Sequence, residues 1–541
     1  MRLLNGLKIR LWLTGLILVF IVAPALGEDI GAGATSITAA GPRLGEIFEV
    51  EVKLPNRNAL DKLTRAGYNI GRVRGDIATI FATESEFERL KQTGYEYNEI
   101  TQGPEPEGSK SRSSNRYHSY CILTYKLNCY AETYPDICRL ITLGQSVNGR
   151  ELWAVLISDN PDDEEDEPEF KYDATIHGNE PLGTEMCLYF IELLLTEYGT
   201  DERITNLVNE TAIWVLPMLN PDGHTSNQRF NANGIDLNRD FPRPDDIQQN
   251  IYEGGPLQNE GRQPETQHVM NWAAQNSLVL SGTFHTGMLC VLYPYGYNEE
   301  LLSMDTPTPD DLLFKEIARR YSVHNEPMWN NPFFPDGIGN IAAWYIAAGN
   351  TADWNYCYLG CNEVGIELSN RFRPYPNQIP GYWSDNSESM LSFLEAVHIG
   401  VRGIITDKAS GEPLWAEVLV EGNSHPVFTD ADVGDYHRML LPGTYNLMFN
   451  VPGYMPRLVR DITVTEGQAA RVDIEMISEQ ASPDFNEDGK VDIEDLEMLI
   501  EHWEQDAPSF DIAPLPDGDG IVNIEDLALL TEYWHEEIPE F

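Results

Sequence analysis

The residues best suited to chemistry begin with His177-Gly-Asn-Glu180, an imidazole and a carboxylate three positions apart. A catalytic zinc takes three protein ligands and keeps a fourth position for water. HxxE alone is a weak signal. Here it sits between an apolar run and an amphipathic stretch, which predicts the carboxyl edge of a parallel sheet, where α/β enzymes place their sites. Further polar segments follow in order: Asn220-Pro-Asp-Gly223, Arg229, Asp236-Leu-Asn-Arg239, Ser281-Gly-Thr-Phe-His285, Asp353-Trp-Asn-Tyr356 and Gly365-Ile-Glu-Leu368.

Taken together and in this order, these segments resemble the zinc metallocarboxypeptidase family across about 285 residues. The resemblance implies His177, Glu180 and His285 as ligands of one catalytic zinc. It implies Glu367 as general base, Arg229 as the group facing the oxyanion, and Asn238 with Arg239 as the grip on a substrate's terminal carboxylate. It implies Tyr356 as a mobile ring closing over the substrate. The residue types suit those roles. Zinc lowers the pKa of bound water, a carboxylate relays its proton, a guanidinium stabilises developing negative charge, and a planar arginine fork matches a free carboxylate.

The elements that must position these groups follow from periodicity. Residues 115–399 alternate apolar strands (153–158, 173–176, 212–217, 279–284, 364–368) with helices such as 183–198. This predicts an α/β catalytic domain with a mixed, mostly parallel sheet flanked by helices. Residues 45–100 read as a small α+β unit, with strands at 48–54 and 77–82 and helices at 59–66 and 84–93. That unit resembles the pro-segment-like region of some bacterial metallocarboxypeptidases, either a cleft cover or a permanent accessory domain. Residues 101–114 have linker composition and are a protease target. Residues 400–477 read as an all-β sandwich. Val401-Arg-Gly-Ile-Ile-Thr-Asp, Gly443-Thr-Tyr and Pro452-Gly-Tyr454 resemble the transthyretin-like domain of the regulatory carboxypeptidase N, E, M and D branch. That branch removes C-terminal Arg or Lys, and Pro309-Asp-Asp311 resembles its acidic pocket segment, so Asp310 or Asp311 is expected to meet a basic side chain. Helix capping by an aspartate is an equally natural reading of that segment.

Residues 478–541 carry an internal repeat. Asp495-Leu-Glu-Met-Leu-Ile-Glu-His-Trp503 matches Asp526-Leu-Ala-Leu-Leu-Thr-Glu-Tyr-Trp534. Ahead of the first copy, Asp484, Asn486, Asp488, Lys490, Asp492 and Asp495 occupy calcium-loop positions around Gly489. Ahead of the second stand Asp517, Asp519, Asn523 and Asp526, with Leu515 at the first position and Asp511 available through an insertion. The repeat resembles a type I dockerin, an α-helical module with up to two Ca²⁺ and a cohesin-bearing partner.

The N-terminus has a basic flank, an apolar run from Leu11 to about Val22, and small residues at Ala25 and Gly27. This is signal-peptide grammar for residues 1–27, followed by a flexible segment 28–44, and it predicts a secreted, extracellular protein with no membrane span after cleavage. The 36 basic and 86 acidic side chains give a formal charge of −50, which repels nucleic acid and anionic membranes. The seven cysteines read as structural. The expected function is zinc-dependent release of single residues from peptide or protein C-termini. The alternatives are a catalytically silent peptide-binding protein and an amidohydrolase of non-peptide amides on the same scaffold.

Overall fold

The structure is a computed structural model that describes residues 47–100, 116–246, 257–486 and 488–535. The expected signal peptide, the segment 28–44 and the linker 101–114 lie outside the described residues.

The first unit is a four-stranded antiparallel sheet of β1 (Ile47–Lys53), β2 (Asn69–Arg74), β3 (Ile77–Thr83) and β4 (Tyr97–Glu99), in the order β2-β3-β1-β4. Its helices, Arg57–Arg65 and Glu84–Lys91, begin where the sequence supplies caps. The Asn56 side chain accepts from Ala59 N, and Thr83 and Glu86 form a capping box. The pattern reading missed β2 and β4. The motif Asn-Ile-Gly-Arg-Val-Arg lacks a clean alternation, and its strand is set by tertiary contacts on both sides. Gly71 is required there, because a Cβ would stand 2.3 Å from the Phe81 ring.

The catalytic domain is built on eight strands: β5 (Cys138–Gln145), β6 (Glu151–Ile157), β7 (Glu169–Ala174), β8 (Ala212–Leu216), β9 (Leu278–His285), β10 (Leu289–Tyr293), β11 (Ile338–Asn340) and β12 (Asn362–Leu368). Their order is β11-β10-β12-β9-β7-β8-β6-β5. The pairs β10/β11, β12/β9, β7/β9 and β7/β8 are parallel and the rest antiparallel, which is the expected mixed, mostly parallel sheet. Helices Leu182–Glu197, Asp311–Ser322 and Ile379–Glu395 cover one face, around the fully buried Phe170, Tyr172, Phe190 and Phe284. Helix Pro264–Ala273 covers the other, on Leu152, Ala154 and Leu216. Each such buried aromatic stabilises the fold by roughly 1.5–3 kcal/mol, which holds the strand ends as a rigid platform.

Residues 401–476 form two small sheets enclosing Val401, Ile405, Leu447 and Phe449, the expected sandwich. Two helices, Ile493–Glu501 and Ile524–Glu532, follow the sandwich among the described residues, each opened by an aspartate or asparagine capping box.

Candidate active site

The sheet brings the dispersed polar residues to one edge. Just beyond β7 the chain turns through Thr175, at φ 57°, into His177 and Glu180, before helix Leu182–Glu197. Gly178 permits a close crossing, since a Cβ there would lie 2.0 Å from the Gly223 backbone. His285 ends β9, and in the parallel ladder its Cα partner is Glu367 of β12. The two side chains therefore leave the same face of adjacent strands.

Glu180 lies between the two imidazoles. His177 Nδ1 is 2.9 Å from Glu180 Oε1, and His285 Nδ1 is 3.1 Å from Oε2, which also accepts from Thr286 N. Ligand atoms of all three lie within 4.8 Å of one another, and all three residues are buried. Burial raises the Glu180 carboxyl, but the His177 and His285 imidazoles win and hold it well below the usual range. Glu367 shows the reverse. Burial and the neighbouring Glu180 charge push it up to about 8, against His177, the Met288 amide and Arg229. Among the described residues, its one hydrogen bond comes from Met288 N at 3.3 Å.

Asp236 organises these groups, and sequence reasoning gave it no role. It accepts from Arg229 Nε at 2.9 Å and Asn238 N at 3.0 Å, and lies 3.1 Å from His177 Nε2. A carboxylate on the far nitrogen of a metal-binding histidine fixes its tautomer and ring plane. The usable signal was its place three residues before Arg239. Arg229 also reaches Glu180 Oε1 at 3.3 Å, while its buried Nη2 has no hydrogen-bond partner among the described residues. Asn238 Nδ2 is 3.3 Å from His285 Nε2, and its Oδ1 accepts from Thr351 N. His177, Glu180, Arg229, Asn238, Arg239, His285 and Glu367 line a cleft enclosing about 520 Å³ of space continuous with solvent, walled by Leu292, Ile341, Trp344 and Tyr345.

The zinc carboxypeptidase family matches residues 124–389, and the carboxypeptidase regulatory-like domain matches residues 400–477. Carboxypeptidase D of Mus musculus is 39% identical over 394 residues, 69% of this chain and 28% of that protein. The carboxypeptidase N catalytic chain of Mus musculus is 38% identical over 390 residues, 65% of this chain and 84% of that protein. The chain belongs to the zinc carboxypeptidase family. It spans little more than a quarter of the length of the carboxypeptidase D relative. The crystal structure of a carboxypeptidase A from Helicoverpa armigera shares the fold, at a TM-score of 0.51 and 19% identity, covering 65% of this chain and 97% of that one.

A zinc carboxypeptidase needs a metal, and the residues fit one. Two imidazole nitrogens and a carboxylate converge around a point, the donor set that suits zinc. Both ligand histidines also have polar company for their second nitrogens, Asp236 and Asn238.

Three expectations need correction. Tyr356 does not line the cleft. The turn Asn355–Leu359 carries its ring into the core, stacked on His425 with centroids 3.6 Å apart, and its hydroxyl donates to Asp310 Oδ2 at 2.8 Å. The tyrosine in the cleft is Tyr345, with the Arg239 guanidinium carbon 5.9 Å from its ring centre. Asp310 is likewise turned away. Its Oδ1 accepts from Arg438 at 2.8 Å and Asn423 at 2.7 Å, both from the sandwich. Asp311 opens helix Asp311–Ser322 and pairs with Lys315 at 2.6 Å. Neither aspartate can meet a side chain in the cleft. A fully buried guanidinium, Arg438, needs a carboxylate, and Asp310 supplies it.

In the C-terminal repeat, Asp484 accepts from Asp488 N and Gly489 N, and Asp495 accepts from Phe485 N and Asp492 N. The second loop repeats this with Asp511, which accepts from Asp519 N and Gly520 N, and Asp526, which accepts from Ile512 N and Asn523 N. Asp511, not Leu515, stands in the first position.

Proposed function

We propose that this chain hydrolyses the C-terminal peptide bond of peptides or proteins. The observation that carries the reading is the convergence of His177, Glu180 and His285 with Glu367, Arg229, Asn238 and Arg239 in one cleft. Arg239 and Asn238 take the terminal carboxylate, and Tyr345 flanks it. Arg229, fixed by Asp236, presents its unpaired Nη2 to the oxygen that becomes negative. Glu367 takes a proton from the attacking water and passes it to the leaving amine. When bound, zinc polarises the carbonyl and acidifies that water. The presence of Glu367 and of all three metal-type ligands favours this reading over a silent binding protein, and Asn238 with Arg239 calls for a substrate with a free carboxylate. The test is mass spectrometry of peptides ending in Phe, Leu, Arg or Lys, with and without chelator. Release of no terminal residue from any of them ends the proposal.

The preference falls on an uncharged terminal side chain rather than Arg or Lys. The walls are Leu292, Ile341, Trp344, Ala347 and Ala352. The carboxylate at their base, Glu363, is already met by Lys171, Ser281, Thr283 and Asn355. Faster release of Arg than of Phe or Leu would overturn this.

The 45–100 unit acts as a cover. Gly71 lines the cleft, its carbonyl accepts from Tyr345 Oη at 3.3 Å, and Val73 O accepts from Trp344 Nε1 at 2.7 Å. Asn69 Nδ2 donates to Asp236, and Phe81 lies 5.2 Å from the Arg229 guanidinium carbon. β2 thus occupies the residues that would hold a substrate. Cleavage in 101–114 with removal of the unit is expected to raise activity at least tenfold.

Export rests on the N-terminal sequence pattern. No helix among the described residues is long and apolar enough to cross a membrane. The repeat binds up to two Ca²⁺ through the loops closed by Asp484 and Asp511, and docks to a cohesin. Exposed Ile493, Ile500 and Ile524 on its helices support an apolar contact. Calorimetric titration of Ca²⁺ is expected to show two sites, with Asp511→Ala removing one.

A further inference from the structure

Away from the cleft, a second group of metal-type donors spans two domains. Asp435 and His437 lie two apart on the strand Asp435–Arg438 of the sandwich, so both leave the same face. Tyr436 between them sends its hydroxyl the other way, to Val472 O. Asp166 reaches them from the acidic connection between β6 and β7 of the catalytic domain. One ligand atom from each lies within 4.8 Å of the others. Among the described residues, this trio and the His177–Glu180–His285 trio are the groups that meet that condition.

The two trios share a local geometry. In the cleft, imidazole and carboxylate face each other at 2.9 and 3.1 Å. Here His437 Nε2 faces Asp435 Oδ2 at 2.8 Å. Two ligands about 2.0–2.1 Å from a tetrahedral zinc stand roughly 3.3 Å apart, so the separations in both trios fall short of that spacing by about half an ångström or less. The third donor is free in one atom. Asp166 Oδ2 is held by Arg471, while Oδ1 is buried and has no hydrogen-bond partner among the described residues.

The Asp435–His437 pair is also sheltered from solvent. Side chains of Asp435 and His437 are 5% and 7% exposed. The cation at the trio, Arg471, is shared with Asp473.

We propose that Asp166, Asp435 and His437 bind a second zinc-class ion, which pins the acidic connection of the catalytic domain to the regulatory-like domain. An imidazole with two carboxylates suits Zn²⁺ better than Ca²⁺, which takes oxygen ligands throughout. The role is structural, since the trio lies outside the cleft.

The test is metal content of the tag-free full chain, equilibrated with micromolar Zn²⁺ under saturating Ca²⁺ and measured by inductively coupled plasma mass spectrometry. The expected result is two zinc ions per chain, falling to one in His437→Ala with peptidase activity retained. His285→Ala loses the other ion, so failure at the cleft and failure here are distinguishable. If His437→Ala does not fold by circular dichroism, Asp166→Asn replaces it, with the same expected loss. Unchanged zinc content in the folded variant overturns the proposal.

Discussion

Two buried carboxylates, Glu367 and Asp310, show how differently this fold treats the same group. Glu367 receives one long hydrogen bond and is pushed up to about 8 by burial and by Glu180. Asp310 is also buried, yet Arg438 and the other donors around it hold it below the usual range. The first is left reactive, in a cleft with an unpaired guanidinium nitrogen beside it. The second is neutralised and joins two domains. The motif context of each pointed towards substrate. Only the partners distinguish chemistry from architecture.

That contrast can be broken by mutation. Glu367→Gln is expected to lower kcat by about 10²–10⁴-fold while leaving the zinc content unchanged and without lowering the urea midpoint. Asp310→Asn is expected to do the opposite. It removes the charge partner of a buried arginine and should cost about 3–5 kcal/mol in urea unfolding, with kcat/KM of the folded fraction unchanged. A loss of activity without loss of stability would return Asp310 to the cleft.

The two tyrosines sharpen the comparison at lower magnitude. Tyr345→Phe is expected to change KM and to loosen the 45–100 unit through the lost bond to Gly71. Tyr356→Phe is expected to lower stability by about 0.5–1.5 kcal/mol and leave KM alone. The smallest effect concerns Glu167. Its folded pKa is raised to about 8 from 4.5, so the protonated form favours folding. Its contribution is present below pH 4.5 and is lost as pH rises towards 8. After discounting for solvent screening, Glu167→Gln should therefore stabilise the chain by about 1 kcal/mol at pH 8 and by almost nothing at pH 4, measured by urea unfolding with chelator in every sample.

Much of the site was legible in the sequence, because zinc ligands and a sheet edge impose fixed residue types. His177, Glu180, His285, Arg229, Asn238, Arg239 and Glu367 all reach one cleft. Strands β6, β8, β9 and β12 were visible because buried strands must be apolar. The misses have a common cause. Tyr345 and Tyr356 are equally plausible by type, and only the turn after helix Thr351–Trp354 decides which ring faces the cleft. β2 is polar and glycine-containing, so nothing local marks it as a strand. Asp236 acts through His177 and Arg229, which adjacency in sequence does not reveal.

The most direct measurement compares a peptide bearing a free C-terminal carboxylate with its C-terminally amidated twin, incubated with the chain after cleavage in 101–114 and removal of the first unit. The free peptide is expected to lose single residues, chelator to stop this, and the amidated peptide to stay intact because Asn238 and Arg239 have nothing to hold. Equal cleavage of both peptides, or release that persists under chelator, would contradict it.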